Sequence, residues 1–153
     1  MSDPSPRSSP AELIAGLRRT PAELVELTER MGASGTAEGW SPAEVLAHLA
    51  HFEVLAGARV RMVLTLERPP LAAFDQEDFN RRFADALPAA EALELFAVNR
   101  RATCDLLERL EPADWERPGL HPTRGEEPLA KTVAMLLRHD RDHLEQFRGA
   151  LRA

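Results

Sequence analysis

The sequence predicts an all-α protein, a four-helix bundle with a short extra helix or packed loop between the second and third long helices. Apolar residues recur at spacings of three and four along four long stretches, as expected of helices that bury one face. Proline and glycine separate these stretches, and no segment alternates apolar and polar residues over a useful length. The 153 residues are enough for one domain with its own core.

The amino-terminal part contains a tail and three helix-start signals. Residues 1–9 (MSDPSPRSS) offer almost no apolar side chains, so we expect them to be disordered and residues 10–153 to form the single domain. The pattern Ser/Thr-Pro-Ala-Glu occurs at Ser9, Thr20 and Ser41. Each predicts a helix start, because the hydroxyl caps the helix, proline fits its first turn and glutamate closes a capping box.

The first two long helices follow from these signals. The first should cover residues 10–31, and Pro21 should kink or divide it, since proline removes one backbone hydrogen bond. Residues 31–39 form a loop. The second helix should cover residues 42–67, before two consecutive prolines. Its predicted inward face consists of Val45, Leu49, Phe52, Ala56, Val60 and Val63.

The second half of the chain predicts the remaining elements. Residues 71–87 contain three phenylalanines and predict a short helix or packed loop that closes one end of the bundle. The third long helix should cover residues 88–110, the Pro- and Gly-rich residues 111–127 an ordered crossing loop, and residues 128–150 the fourth helix. The inward residues are Leu93, Phe96, Ala97, Cys104, Leu107 and Leu110 on the third helix and Val133, Leu136, Leu137, Leu144 and Phe147 on the fourth.

Three histidines are predicted to face the core. His139 and His143 share one face of a helix with about 3.6 residues per turn, and His48 lies one turn from apolar residues of the second helix. Each alone is explained as a core histidine hydrogen-bonded to a neighbour, but together they predict one divalent-metal site. Three imidazoles without a carboxylate favour zinc or nickel over magnesium or calcium.

Other candidate residues compete with or support this site. His51, one turn after His48, is an alternative or additional ligand. His121 is interpreted as a surface or loop-packing residue that could line the mouth of a pocket. Cys104 lies in the apolar stripe of its helix and is interpreted as a buried apolar residue rather than a nucleophile. Trp40 is expected to pack beside the start of the second helix.

Asp140 falls on the apolar face of the fourth helix, where an unpaired carboxylate would be costly. One interpretation is that it accepts a hydrogen bond from a metal-binding imidazole. The other is an ion pair with Arg59 or Arg100, which both fall on apolar faces. These arginines are otherwise candidates to bind an anionic substrate group. No residue is assigned as catalytic, and Asp140 and His51 are only candidates for a role beside the metal.

The order and spacing of three motifs resemble the DinB/YfiT-like superfamily. The first is Trp40-Ser-Pro-Ala-Glu-Val-Leu-Ala-His48-Leu-x-x-x-Glu53, the second is Trp115 followed by Gly119-x-His121-Pro122 and Gly125, and the third is His139-Asp-x-x-His143-Leu-x-Gln146. The resemblance covers nearly the whole chain after residue 10. It implies a four-helix bundle, often dimeric, with a divalent metal on three histidines that match His48, His139 and His143. His51 departs from the pattern, which often has Asp there.

Composition excludes several classes of function. The net charge of −6 argues against a nucleic-acid-binding surface, which needs a basic patch. We find no run of about 20 apolar residues and no signal-peptide pattern, so no membrane association is expected. The single cysteine fits a reducing compartment. We therefore expect a cytoplasmic, bacterial-like protein that acts on a small molecule.

Three functions remain open at this point. A metal on three neutral ligands keeps a position at which it activates water or a thiol. The resemblance favours a metal-dependent S-transferase or a thiol-dependent isomerase that uses a low-molecular-weight thiol. A metal-dependent hydrolase is the second candidate, and a non-catalytic, stress-related bundle is the third. We also expect a homodimer, because Leu46 and Leu64 lie outside the main apolar stripe and need a further surface to cover them.

Overall fold

The computed structural model describes residues 8–31 and 39–152, and within them the predicted four-helix bundle is confirmed. Its long helices are α1 (Pro10–Glu29), α2 (Pro42–Thr65), α4 (Ala89–Leu107) and α6 (Leu129–Arg152). Between them lie α3 (Gln76–Phe83), a 3-10 turn (Ala84–Ala86), α5 (Pro112–Trp115) and the strands β1 (Pro118–His121) and β2 (Gly125–Pro128). Residues 1–7 of the predicted tail and 32–38 of the predicted loop lie outside the described residues.

Capping boxes begin the two amino-terminal helices, as predicted. Ser9 and Ser41 each accept a hydrogen bond from the backbone N–H three residues later, at Glu12 and Glu44. Each glutamate side chain accepts the backbone N–H of its serine in return. Four otherwise unpaired N–H groups are satisfied in this way, which fixes where both helices start.

The helix start predicted at Thr20 is wrong, because α1 continues through Pro21 as one helix. Proline has no N–H to donate, so the carbonyl of Leu17 loses its partner within the helix. Arg100 from α4 supplies a replacement, since its Nη1 donates to the Leu17 oxygen at 3.1 Å. The hydroxyl of Thr20 donates to Asp140 at 2.7 Å and caps nothing. The hydrogen bond that Pro21 removes from α1 is thus replaced by one from α4, and Thr20 next to it joins α1 to α6.

The core forms two clusters along the bundle, a first that includes Val60 and Val133 and a second that includes Phe96 and Phe147. α2 packs against both α4 and α6. α1 also packs against α4 and α6, on the side opposite α2. The predicted inward residues of α2 are all buried. Leu46 is also fully buried in the second cluster, and Leu64 packs partly against the first, so the argument that Leu46 needs a partner chain is wrong. Cys104 is buried, as predicted.

The crossing segment contains a β-hairpin that the sequence did not indicate. β1 and β2 pair antiparallel over four residues each, and Gly125 has the positive φ of 77° that the turn needs. Strands this short, with proline and glycine inside them, show no alternation to detect. The hairpin joins the segment before α3, because Leu71 donates its N–H to the oxygen of Leu120, and Leu120 donates to Pro69, both at 2.8 Å. It thereby frames one side of the cavity described below.

No helix within residues 8–31 and 39–152 is both long enough and apolar enough to cross a membrane.

Candidate metal centre

Three histidine side chains meet between α2 and α6. His48 comes from α2, and His139 and His143 come from consecutive turns of α6. One ring nitrogen from each lies within 4.8 Å of the other two. The Nε2 atoms of His48 and His139 are 3.0 Å apart, and the ring of His143 is centred 4.3 Å from that of His48. The structure thus brings together the three residues that the sequence singled out.

The environment keeps all three imidazoles neutral. Burial, with a contribution from neighbouring His143, lowers the pKa of His48 to about 3 and that of His139 to about 2. Burial also lowers the pKa of His143, although its hydrogen bond to Gln146 acts in the opposite direction. Neutral imidazole is the form that ligates a metal, so no proton has to be removed at neutral pH.

Hydrogen bonding and packing orient His143. Its Nδ1 lies 2.7 Å from the side-chain oxygen of Gln146, which can only accept, so Nδ1 carries the proton and Nε2 keeps its lone pair. The indole of Trp40 lies nearly parallel to the His143 ring, at 7° and 6.0 Å between centroids. Trp40 also lies 4.9 Å from His48 and so covers one side of the cluster. Sequence reasoning assigned no role to Gln146.

The donor set fits a single borderline metal ion. Two nitrogens bound to one tetrahedral zinc ion lie about 3.3 Å apart. The 3.0 Å between His48 and His139 is close to this value, and a ligand atom of His143 lies within 4.8 Å of both. No carboxylate belongs to the cluster in the described part of the chain, which suits zinc or nickel rather than magnesium or calcium. Nδ1 of His139 is buried and has no protein partner there.

Asp140 forms the ion pair that was one of the two predicted alternatives. Both of its oxygens bind Arg100, at 2.6 and 2.9 Å, and one also accepts the hydroxyl of Thr20. Arg100 binds Glu53 as well, at 2.9 and 2.6 Å. No hydrogen bond joins Asp140 to an imidazole among the described residues. Arg100 is therefore not available to a substrate anion.

Glu53 is the member of this network that sequence reasoning missed. It follows Leu49 by four residues and precedes Ala56 by three, so it lies on the same apolar stripe of α2. A carboxylate at such a position is the signal that could have identified it. Burial raises the pKa of Glu53, and the charge of Arg100 partly opposes this.

The guanidinium of Arg100 links all four long helices. It lies on α4 and binds Glu53 of α2, Asp140 of α6 and the Leu17 carbonyl of α1. Burial acts to lower the pKa of Arg100, but the two carboxylates outweigh it and raise the pKa, so the residue stays charged. Asp140 follows His139 directly, and the network therefore holds the turn of α6 that carries the site.

The two remaining histidines lie outside the cluster. His51, predicted as an alternative ligand, meets the ring of Phe79 edge-on at 4.9 Å, and its Nε2 has no partner among the described residues. His121 lies on β1, where its Nδ1 accepts the backbone N–H groups of Thr123 and Arg124 at 3.2 Å. It lines the cavity, in agreement with the interpretation that it could line a pocket mouth.

A cavity of about 380 Å³ opens beside the cluster. Of the three clustered histidines, His139 lines it, and its ring stacks on Phe52 at 4.0 Å. The wall is mainly apolar. Its other notable members are Arg59, Val60, Leu136, Asp142 and, from the hairpin, His121 and Arg124. A small molecule in the cavity would reach the cluster from the His139 side.

The chain is similar to known bacterial proteins over most of its length. The sequence profile of the DinB superfamily matches residues 12–147. A protein of Oceanobacillus iheyensis named "Putative metal-dependent hydrolase" is 28% identical over 116 residues, covering 76% of this chain and 67% of the relative. A protein of Bacillus licheniformis with the same descriptive name is 28% identical over 135 residues, covering 87% and 76%.

A solved structure supports the fold. YfiT from Bacillus subtilis, described as "a probable metal-dependent hydrolase with an unusual four-helix bundle topology", matches with a TM-score of 0.87. The match covers 97% of this chain and 91% of YfiT at 22% identity, so it demonstrates a shared topology.

Proposed function

Because the chain belongs to the DinB superfamily, we propose that His48, His139 and His143 hold one divalent metal ion and that the protein is a metal-dependent enzyme acting on a small molecule. The observation that carries this proposal is the convergence of three neutral imidazoles beside a cavity. When bound, the metal would act as a Lewis acid that activates a thiol or a water molecule at neutral pH. Zinc or nickel fits the all-nitrogen donor set.

The residues around the cluster have distinct tasks in this proposal. Gln146 holds the proton on Nδ1 of His143 and so directs Nε2 to the metal. Trp40 covers the cluster away from the cavity and limits access of water. Phe52 lines the cavity beside His139 and would fix the plane of that imidazole by stacking. Substrate in the cavity would approach the cluster from the His139 side.

Thiol transfer is the first candidate activity, either as S-transfer or as thiol-dependent isomerisation. Cys104, the single cysteine, lies outside the cluster and the cavity lining, and burial raises the pKa of its thiol to about 11, so it does not supply the nucleophile. Asp140 is committed to Arg100 and Thr20, so it cannot serve as a general base. A low-molecular-weight thiol from solution would supply the nucleophile, and no protein base is needed once the thiol is ionised.

Hydrolysis is the second candidate. The names of the relatives from Oceanobacillus iheyensis and Bacillus licheniformis favour it. Asp142 lines the cavity, 3.9 Å from Arg138, and would be the carboxylate that accepts a proton from water. A non-catalytic metal-stabilised bundle is the third candidate, and it requires that no substrate be turned over.

Metal analysis tests the site first. The protein should be purified without a histidine tag and its metal content measured by mass spectrometry. We expect about one zinc or nickel ion per chain, lost in His143→Ala and retained in the matched control His121→Ala. Full occupancy in His143→Ala would reject the site. Turnover of an electrophile panel and an ester panel, each with and without thiol, then separates the three candidates.

A further inference from the structure

The cavity contains a buried arginine that has no carboxylate partner in the part of the chain that the structure describes. Arg59 on α2 is 8% exposed, and it lines the cavity. It is one of two arginines that are buried in the described part of the chain, and the other, Arg100, pairs with two carboxylates. Within the same residues no carboxylate lies at ion-pairing distance from Arg59. Since a buried charge normally has a counter-charge, this site is incomplete.

Neutral contacts hold Arg59 in place. Its Nε and Nη2 both donate to the carbonyl of Ala72, at 2.8 and 2.5 Å, and its guanidinium carbon lies 5.8 Å from the centre of the Phe52 ring. A guanidinium carries five N–H donors in a planar fork. The Nη1 group has no partner among the described residues. One edge of the fork thus remains for a ligand.

Glu127, the buried carboxylate that acts on Arg59 among the described residues, is already committed. Glu127 receives two hydrogen bonds from Arg124, at 2.8 and 2.7 Å, and a third from Thr132 at 2.9 Å. Lys131 lies 4.0 Å from it as well. Burial lowers the pKa of Arg59, and the charge of Arg124 lowers it further, while Glu127 acts in the opposite direction. This end of the cavity therefore carries an excess of positive charge.

We propose that the cavity binds a small molecule with an anionic group, a carboxylate in the simplest case, which pairs with Arg59. The apolar part of the molecule would lie against Phe52, Val60 and Leu136, and its other end would face His139. That such a molecule is the substrate rests on the proposed function, whereas its binding does not require a metal. Planar donor pairs of arginine suit carboxylates because two parallel hydrogen bonds form.

The spacing suits a compact molecule. The ring of Phe52 is 5.8 Å from the guanidinium carbon of Arg59 and 4.0 Å from the ring of His139, measured to ring centroids. The separation of the Arg59 carbon and the His139 ring cannot exceed these two distances added together. An arylalkyl acid such as 4-phenylbutyrate covers such a span and serves as the probe.

The test compares 4-phenylbutyrate with its primary amide by calorimetry in metal-free protein, so that the acid cannot bind a metal instead. We expect the acid to bind at least about tenfold more tightly than the amide, since only the acid forms charge-assisted hydrogen bonds. Arg59→Gln should remove this preference. Arg59→Lys should keep part of it, because the charge remains. Arg138→Gln changes another arginine of the cavity wall and should leave the preference intact.

Three results would overturn the proposal: no binding of the acid, equal binding of acid and amide by the unaltered protein, or an unchanged preference in Arg59→Gln. Because Arg59 also holds Ala72, circular dichroism should check that each variant is folded. The comparison of acid with amide in the unaltered protein does not depend on any variant. The proposed function can fail independently, by absence of a metal, while the acid preference persists.

Discussion

Arg100 binds both carboxylate oxygens of Asp140, at 2.6 and 2.9 Å, and Asp140 is the residue directly after His139. Both side chains are 1% exposed. The part of α6 that carries two of the clustered histidines is therefore tied to α4, and through Glu53 also to α2, which carries the third. The geometry of the candidate metal centre depends on an ion network that contains none of its ligands.

Replacing Arg100 should destabilise the protein strongly. Arg100→Met leaves Glu53 and Asp140 buried without a counter-charge, and removal of one partner of a buried ion pair costs about 3–5 kcal/mol. Urea unfolding at neutral pH measures the loss. The neighbouring exposed Arg101→Met is the control and should change the free energy of unfolding by less than about 0.5 kcal/mol. Equal stability of the two variants would show that the network is not important for folding.

The metal-free protein should lose stability as the pH falls below about 6.5. The folded-state pKa values of His48 and His139 are about 3 and about 2, below the unfolded value of 6.5, so the unfolded chain binds more protons in this range. The contribution of these histidines to the free energy of unfolding is fully present above the unfolded pKa. Below that pKa the free energy of unfolding decreases by about 1.4 kcal/mol per pH unit for each such histidine. Urea unfolding between pH 7.5 and 5 checks this, and His48→Gln should reduce the slope. A flat profile would contradict the buried, neutral histidines.

The sequence predicted the features that depend on residues close together along the chain. The caps at Ser9 and Ser41 and the helical spacing of apolar residues are confirmed. The clustering of His48 with His139 and His143 followed from helical phase, because all three lie on or beside apolar stripes.

Features set by contacts between distant segments were not predictable. Asp140 pairs with Arg100 and not with Arg59 because of how α4 and α2 are rotated against α6. That rotation cannot be predicted from the spacing of residues in the sequence. Thr20 fits the capping rule, but its hydroxyl finds Asp140, 120 residues away. The hairpin was missed because its four-residue strands carry no periodicity.

Gln146 should contribute to metal affinity although it does not bind the metal. Gln146→Ala removes the acceptor that holds the proton on Nδ1 of His143, and loss of such a partner weakens metal binding by about 10- to 100-fold. Gln146→Glu keeps an acceptor and should retain the affinity. Competition with a chromogenic zinc chelator measures both, with the exposed Glu145→Ala as control. Equal affinity of Gln146→Ala and the unaltered protein would exclude this role.

The homodimer stays a prediction that rests on the resemblance, since Leu46 is covered within one chain. Sedimentation velocity at micromolar concentration should give a species of twice 17.0 kDa. A single species of 17.0 kDa at all concentrations would make the protein a monomer.

The activity of the site should require a small thiol. If the protein transfers a thiol or isomerises with its help, turnover of an electrophile should need added thiol and should be lost in His48→Ala. It should persist in Cys104→Ser, because Cys104 is buried and its raised pKa, about 11, keeps it protonated. The rate should rise with pH through a pKa below the free-thiol value of about 8.5, since a metal favours the thiolate.

Ester cleavage that needs His48 but no thiol would instead identify a hydrolase. Absence of metal-dependent turnover on both panels would leave the non-catalytic, metal-stabilised bundle as the remaining candidate.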